Sequence, residues 1–163
     1  MILGMPVHVF TVVHVVISLI AIVSGLIVLF GMLKAQRLGG WTALFLLTTI
    51  LTSVTGFLFP IHGFTPALGT GIVSLAVLAI ALIALYAMHL AGAWRWIYVA
   101  TAVAALYFNV LVLIVQAFQT IGVLKALAPT QSEAPFLVVQ TFALLFFVIV
   151  GTIAASNFRP ARS

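Results

Sequence analysis

Four histidines, His8, His14, His62 and His89, hold most of the reactive capacity of this 163-residue sequence, which has one carboxylate, Glu133, and no cysteine. Without an aspartate a Ser-His-Asp triad cannot be assembled, and Glu133 falls in a loop close to Lys125. Covalent chemistry is left with Ser18, four residues after His14 on one helix face, an ordinary spacing in any helix. The lack of cysteine removes disulfides, thiolate metal sites and thiol nucleophiles together.

Imidazole ligation is the next chemistry to weigh. A haem b needs two axial nitrogens facing each other across the macrocycle, and His14 with His62 is the pair that falls on different segments and on one side of the molecule. Cytochromes of the b561 type, which carry haem b between four helices, use several paired histidines that this chain lacks. For zinc or copper, His8, His14 and His62 supply at most three nitrogens. His8 lies six residues before His14, on another helix face and about 9 Å away along the axis, so the two are no chelating pair. His62 sits in a turn bracketed by Pro60 and Pro66, where a solvated loop residue competes with a ligand. His89 stands alone at the opposite end and reads as interfacial.

The elements that position these groups follow from composition. Apolar residues make up 66% of the chain and charged residues 4%, far from the roughly one quarter charged residues of a soluble domain. A net charge of +5 spread over loops, without aromatic and basic interleaving, sets nucleic acid aside. Crossing a hydrocarbon core takes about 20 apolar residues, and five stretches qualify, at roughly 7–32, 41–60, 67–90, 95–120 and 134–157. The first stretch has no basic region before it and reads as a retained span instead of a signal peptide. "LKAQRLGG", "PIHGFTP", "AGAWRW" and "LAPTQSEAP" mark the breaks. In the last of these Ser132 or Thr130 is placed to cap the fifth span, with Glu133 in its first turn and Pro135 near its start. The expected fold is an all-α integral membrane bundle of five transmembrane helices forming a single domain.

Lys34, Arg37, Arg95, Arg159 and Arg162 fall on one side of such a bundle and Lys125 alone on the other. The positive-inside rule then puts the N-terminus outside and the C-terminus in the cytoplasm, with Trp41, Trp94 and Trp96 at the cytoplasmic interface. The stretches from Ser18 and from Ser74 share serine, leucine, isoleucine and methionine at a constant offset, which a duplicated helix hairpin would produce and which Leu and Ala richness also produces. The Gly69-Thr70-Gly71 triplet completes no GxGxxG and follows no strand.

Helical spacing aligns Thr11, His14 and Ser18 with Ala21 and Gly25; Thr48, Thr52 and Thr55; Thr70 and Ser74; Asn109 and Gln116; and Gln140 with Gly151. Small and hydroxyl residues are the ordinary contact surface of membrane helices, so helix association alone accounts for most of these rows. Depth adds to this. With the N-terminus outside, His14, Thr55, Asn109 and Gln140 fall about 8 to 12 Å below the outer boundary, with Thr70, Ser74 and Gln116 nearby. Imidazole and amide heads left unpaired in lipid cost several kcal/mol each. These groups are therefore expected to bond one another, or to line a pocket in the outer half with His62 and His8 at its rim.

No carboxylate, lysine or arginine lies within the hydrocarbon segment of a span, Arg95 standing at the edge of the fourth, so an acidic proton relay has no parts, and an odd number of spans denies a complete inverted repeat to one chain. A pore between copies of the chain stays open as a reading. "WTALFLLTTILTSVTGFLFP", "HLAGAWRWIYV", "NVLVLIVQAF" and "ALAPTQSE" resemble a group of small multi-pass inner-membrane proteins of proteobacteria over most of the length. The resemblance implies a bacterial inner-membrane location and carries over no activity and no functional residue. Where that group has an acidic residue after the second span, this chain has "IHG", which weakens a metal site built on His62. The sequence thus points to a binding or accessory protein without covalent chemistry of its own. Its expected partners are the lipid bilayer, a quinone or lipid ligand, and a membrane-protein subunit or second copy. One haem b or metal on the outer side is the rival reading.

Overall fold

The computed structural model describes residues 1–60 and 63–158. Six α-helices follow one another: α1 (Val7–Leu33), α2 (Gly39–Phe57), α3 (Pro66–Leu82), α4 (Trp94–Thr120), the short α5 (Gly122–Leu127) and α6 (Ala134–Asn157). Five helical segments are long and apolar enough to cross a membrane: α1, α2, α4, α6 and Leu68–Ala87, which runs from α3 into the turn that follows it.

The helix ends differ from the sequence reading where proline or local winding intervenes. The second span stops at Phe57 instead of reaching Pro60, since the residue before a proline is pushed out of helical conformation. The third is regular only to Leu82. It then widens into a π-helical turn, Ile83–Ala87, in which the Met88 amide donates to the Ile83 carbonyl at 2.8 Å. His89 and Leu90 follow with φ of +49° and +58°, and Gly92 with +53°, so the chain reverses within a few residues. α5 falls in a stretch that carries no spanning signal. At the start of α6 the cap differs from the expected one. Glu133 itself is the N-cap residue and its side chain makes no cap bond, while Pro135 takes an early position where a missing amide donor costs nothing.

α1, α2, α3 and α4 form a ring in which each helix touches the next and α4 closes onto α1; α6 lies outside it, against α4 and α1. The centre is filled by Leu29, Met32, Phe45, Leu46, Leu78, Val99 and Leu106, with Phe147 and Ala154 from α6. Small residues permit this closeness. A Cβ on Gly25 would meet Leu106 Cδ1 at 2.6 Å and Phe45 Cε1 at 2.8 Å, so only hydrogen fits there. α6 is the least embraced helix: 11% of its most apolar stretch is buried, against 28–33% for the other four spans.

Two ends of the bundle can be told apart. The amino end carries residues 1–6, the close of α2, α5 and the loop before α6. The tryptophan end carries the α1–α2 and α3–α4 connections and the close of α6. At the tryptophan end Asn157 donates from Nδ2 to the Leu33 carbonyl at 3.2 Å, and Arg95 donates from Nη1 to the Phe158 carbonyl at 3.1 Å. These two bonds satisfy carbonyls that helix C-termini leave unpaired.

Candidate functional site

His14 is half-buried between α1 and α2, its Nδ1 lying 2.7 Å from Thr55 Oγ1. The single hydroxyl proton of Thr55 is already given to the Leu51 carbonyl at 2.6 Å and shared with Thr52 O at 3.2 Å. With that proton given to Leu51, Thr55 accepts from an Nδ1–H of His14, and Nε2 has no hydrogen bond among the described residues. Phe59 stands edge-on to the imidazole with ring centres 5.2 Å apart, and Phe10 stands edge-on to Phe59 at 5.0 Å.

The other expected members of the polar layer do not join His14. Asn109 is buried and donates from Nδ2 to Thr49 Oγ1 at 3.2 Å, joining α4 to α2. Thr49 and Thr55 are six residues apart on one helix, about 9 Å, so His14 and Asn109 lie at different heights and have no partner in common. Gln140 donates from Nε2 to the Leu111 carbonyl at 3.3 Å, joining α6 to α4. The single outer layer read from the sequence is thus replaced by three separate straps, each on its own helix pair. Common depth counted from helix ends does not fix which neighbour a side chain meets.

The remaining candidates are placed as follows. Thr11, three residues before His14, is exposed and donates to the Val7 carbonyl at 2.8 Å. Ser18 donates to the Val15 carbonyl at 2.7 Å instead of addressing His14, which removes the Ser-His pairing. Ser74 is buried with its hydroxyl unpartnered among the described residues, and Thr70 is half-buried. Gln116 is exposed; seven residues past Asn109, it reaches the level of the last turn of α2, where this face of α4 is no longer covered. His8 is exposed, and His62 lies outside the described residues, so the His14–His62 haem pair does too. Among the described residues no group of three or more His, Cys, Asp or Glu is placed to hold a metal ion.

A different cluster, not drawn from the sequence, appears between α4 and α6. A groove of about 330 Å³ is lined by Tyr107, Leu111, Val115, Phe136, Gln140, Thr141 and Leu144. Three of its lining residues keep a polar group with no hydrogen bond among the described residues: Gln140, whose Oε1 is shut away from the surface, the half-buried Tyr107 and the exposed Thr141. Thr141 stands out because Thr11, Thr48, Thr52, Thr55, Thr101, Thr120 and Thr152 all donate to the carbonyl four residues back. Tyr107 is held by Phe147, with ring centres 5.9 Å apart. From Tyr107 to Val115 the groove runs about 12 Å along α4. The available signal was Tyr107 and Leu111 one turn apart, opposite the adjacent Gln140 and Thr141; the pairing of α4 with α6 is what gives it meaning.

The loop before α6 borders this groove at the amino end of the bundle. Gln131 donates from Nε2 to the Val115 carbonyl at 3.1 Å, and Phe136 meets Phe118 edge-on at 5.3 Å. Glu133 holds that loop: its carboxylate accepts from the Thr130 hydroxyl at 2.7 Å and from the amides of Thr130 and Ser132 at 3.2 and 3.1 Å. The Thr130 hydroxyl bond, above all, holds the Glu133 carboxyl below its ordinary range.

No protein-family model, curated protein or solved structure matches this chain.

Proposed function

We propose that this chain is a multi-pass protein of the bacterial inner membrane, N-terminus periplasmic and C-terminus cytoplasmic, that binds a hydrophobic molecule with a hydrogen-bonding head in the α4–α6 groove. It acts as a binding or accessory component and performs no covalent step. The observation that carries this reading is one groove with apolar walls whose lining residues Tyr107, Gln140 and Thr141 each keep a polar group unpartnered among the described residues, that of Gln140 just beneath the surface. A few converging polar groups amid apolar side chains are what a ligand site for a small amphiphile offers. A quinone supplies two acceptors for the hydroxyls of Tyr107 and Thr141; its reduced form, or a hydroxylated lipid, supplies a donor for the amide oxygen. Orientation rests on five cations against one across the sequence, and the bacterial location on the resemblance to small proteobacterial membrane proteins.

Mass spectrometry of protein extracted under mild conditions tests the reading. A stoichiometric lipophilic molecule is expected with the wild type and is lost in the double variant Tyr107→Phe, Gln140→Leu. A clean, ligand-free monomer, or a ligand retained equally by the variant, overturns it. Recovery of a second subunit seated on α6 would replace the small molecule with a protein partner or another copy of the chain.

A second reading is favoured by one observation, the unpartnered Nε2 of His14. Bonded at Nδ1, an imidazole is oriented as metal-ligating histidines are, and one haem b on the outer side would use that nitrogen. A Soret band after haem-replete expression, lost in His14→Ala, is its expected signature; colourless protein rejects it.

A further inference from the structure

The tryptophan end carries cations from separate segments. Asn157 bonds the Leu33 carbonyl at 3.2 Å, which sets the close of α6 beside Lys34. Arg95 bonds the next carbonyl, that of Phe158, at 3.1 Å. The Phe158 ring lies 6.0 Å from that of Tyr98, and Tyr98 is within electrostatic reach of Arg37. Arg95 thus reaches the chain beside the Tyr98–Phe158 contact, and Lys34 and Arg37 belong to the α1–α2 connection at the same end. No carboxylate side chain balances them among the described residues: the one acidic side chain of the sequence, Glu133, is at the amino end, engaged with Thr130 and Ser132.

Arg95 is the least compensated of the three. It stands in the first turn of α4, where the helix dipole disfavours a positive charge. One carbonyl occupies one of its five donors. Lys34 and Arg37 are exposed and make no side-chain hydrogen bond among the described residues. An external anion would offset all of this. Trp41 and Trp96, both exposed, and the half-buried Trp94 mark the same end. Indole rings settle at headgroup level, so the anion available there is a lipid phosphate.

We infer that the tryptophan end binds the phosphodiester head of an anionic phospholipid, with Arg95 as the forked donor and Lys34 and Arg37 as flanking charges. This site is separate from the α4–α6 groove and does not depend on it. Native mass spectrometry of protein released from vesicles of equal phosphatidylglycerol and phosphatidylcholine tests it. Phosphatidylglycerol adducts are expected in excess. Each surface cation contributes about 1 kcal/mol to attraction for an anionic membrane, so each neutralised charge lowers the excess by about fivefold. The double variant Lys34→Gln, Arg37→Gln carries the test even if Arg95→Gln fails to fold, since neither side chain holds the bundle together. An unchanged adduct ratio in that double variant, or no preference in the wild type, overturns the inference. Displacement of the lipid by glycerol phosphate also overturns it, by assigning the cluster to a free anion.

Discussion

The two ways in which α4 meets its neighbours are opposite solutions to the same problem. Against α2 its polar head is tied across the contact: Asn109 Nδ2 donates to the fully buried Thr49 hydroxyl, in a bundle where Gly25 lets Leu106 and Phe45 come very close. Against α6 a groove of about 330 Å³ remains, and three of the residues lining it keep a polar group without a partner among the described residues. Membrane helices gain nothing from burying apolar surface against one another, since lipid is equally apolar. A tight contact with paired polar groups therefore serves cohesion, and a loose one with unpaired groups is where an outside molecule adds most.

Substitutions sharpen that contrast. The largest effect is expected at Gly25→Ala, whose new methyl would fall 2.6 Å from Leu106 Cδ1; overpacking of this kind costs about 1–3 kcal/mol. It should read out as a lower midpoint of thermal unfolding in detergent. Asn109→Leu comes next, with a loss of about 1 kcal/mol for an interhelical hydrogen bond in a membrane, measurable in the same assay. Gln140→Leu should separate the two contacts most clearly. It discards a bond to the Leu111 carbonyl but also a buried, unpartnered oxygen, so the midpoint of ligand-free protein stays nearly unchanged while ligand retention falls. Loss of stability there equal to that at Asn109 would erase the distinction.

The smallest effect is electrostatic and belongs to the loop that borders the groove. Because the Thr130 hydroxyl and nearby amides hold the folded Glu133 carboxyl low, its contribution is present above the unfolded carboxylate pKa. It fades as pH falls through the depressed folded value. Ligand exchange, followed by competition with a labelled analogue, should accelerate on acidification through that window. Glu133→Gln should be fast at neutral pH and insensitive to the change.

Five spans were legible because lipid leaves one readable demand, about 20 apolar residues between polar breaks, and the bounds at Val7, Trp94, Ala134 and Asn157 lie within a residue of those read from the sequence. The π-helical turn at Ile83–Ala87 carries no comparable signature, since its residues are as apolar and helical as their neighbours. In the site, His14 and Thr55 could both be named from spacing, and they do bond. Thr49 could not, because the row Thr48, Thr52, Thr55 drew attention to hydroxyls that are mostly occupied by their own helix. Tyr107 and Thr141 escaped for a related reason. Periodicity tells which residues share a face; it does not tell which helix that face meets, and in a bundle apolar on every side nothing in the pattern picks the neighbour.

The seat of α6 has a bearing on how the protein is made. Its berth between α1 and α4 exists only after those two helices have met, because one wall comes from the first of the five spans and the other from the fourth. Helices inserted independently and associated afterwards would here finish with a late docking event, in which the Gln140 bond to Leu111 acts as a register pin at one end and the Asn157 bond to Leu33 at the other. A chain stopped before residue 134 should leave an assembled four-helix nucleus with an open flank, able to accept the missing helix when it is supplied as a separate polypeptide.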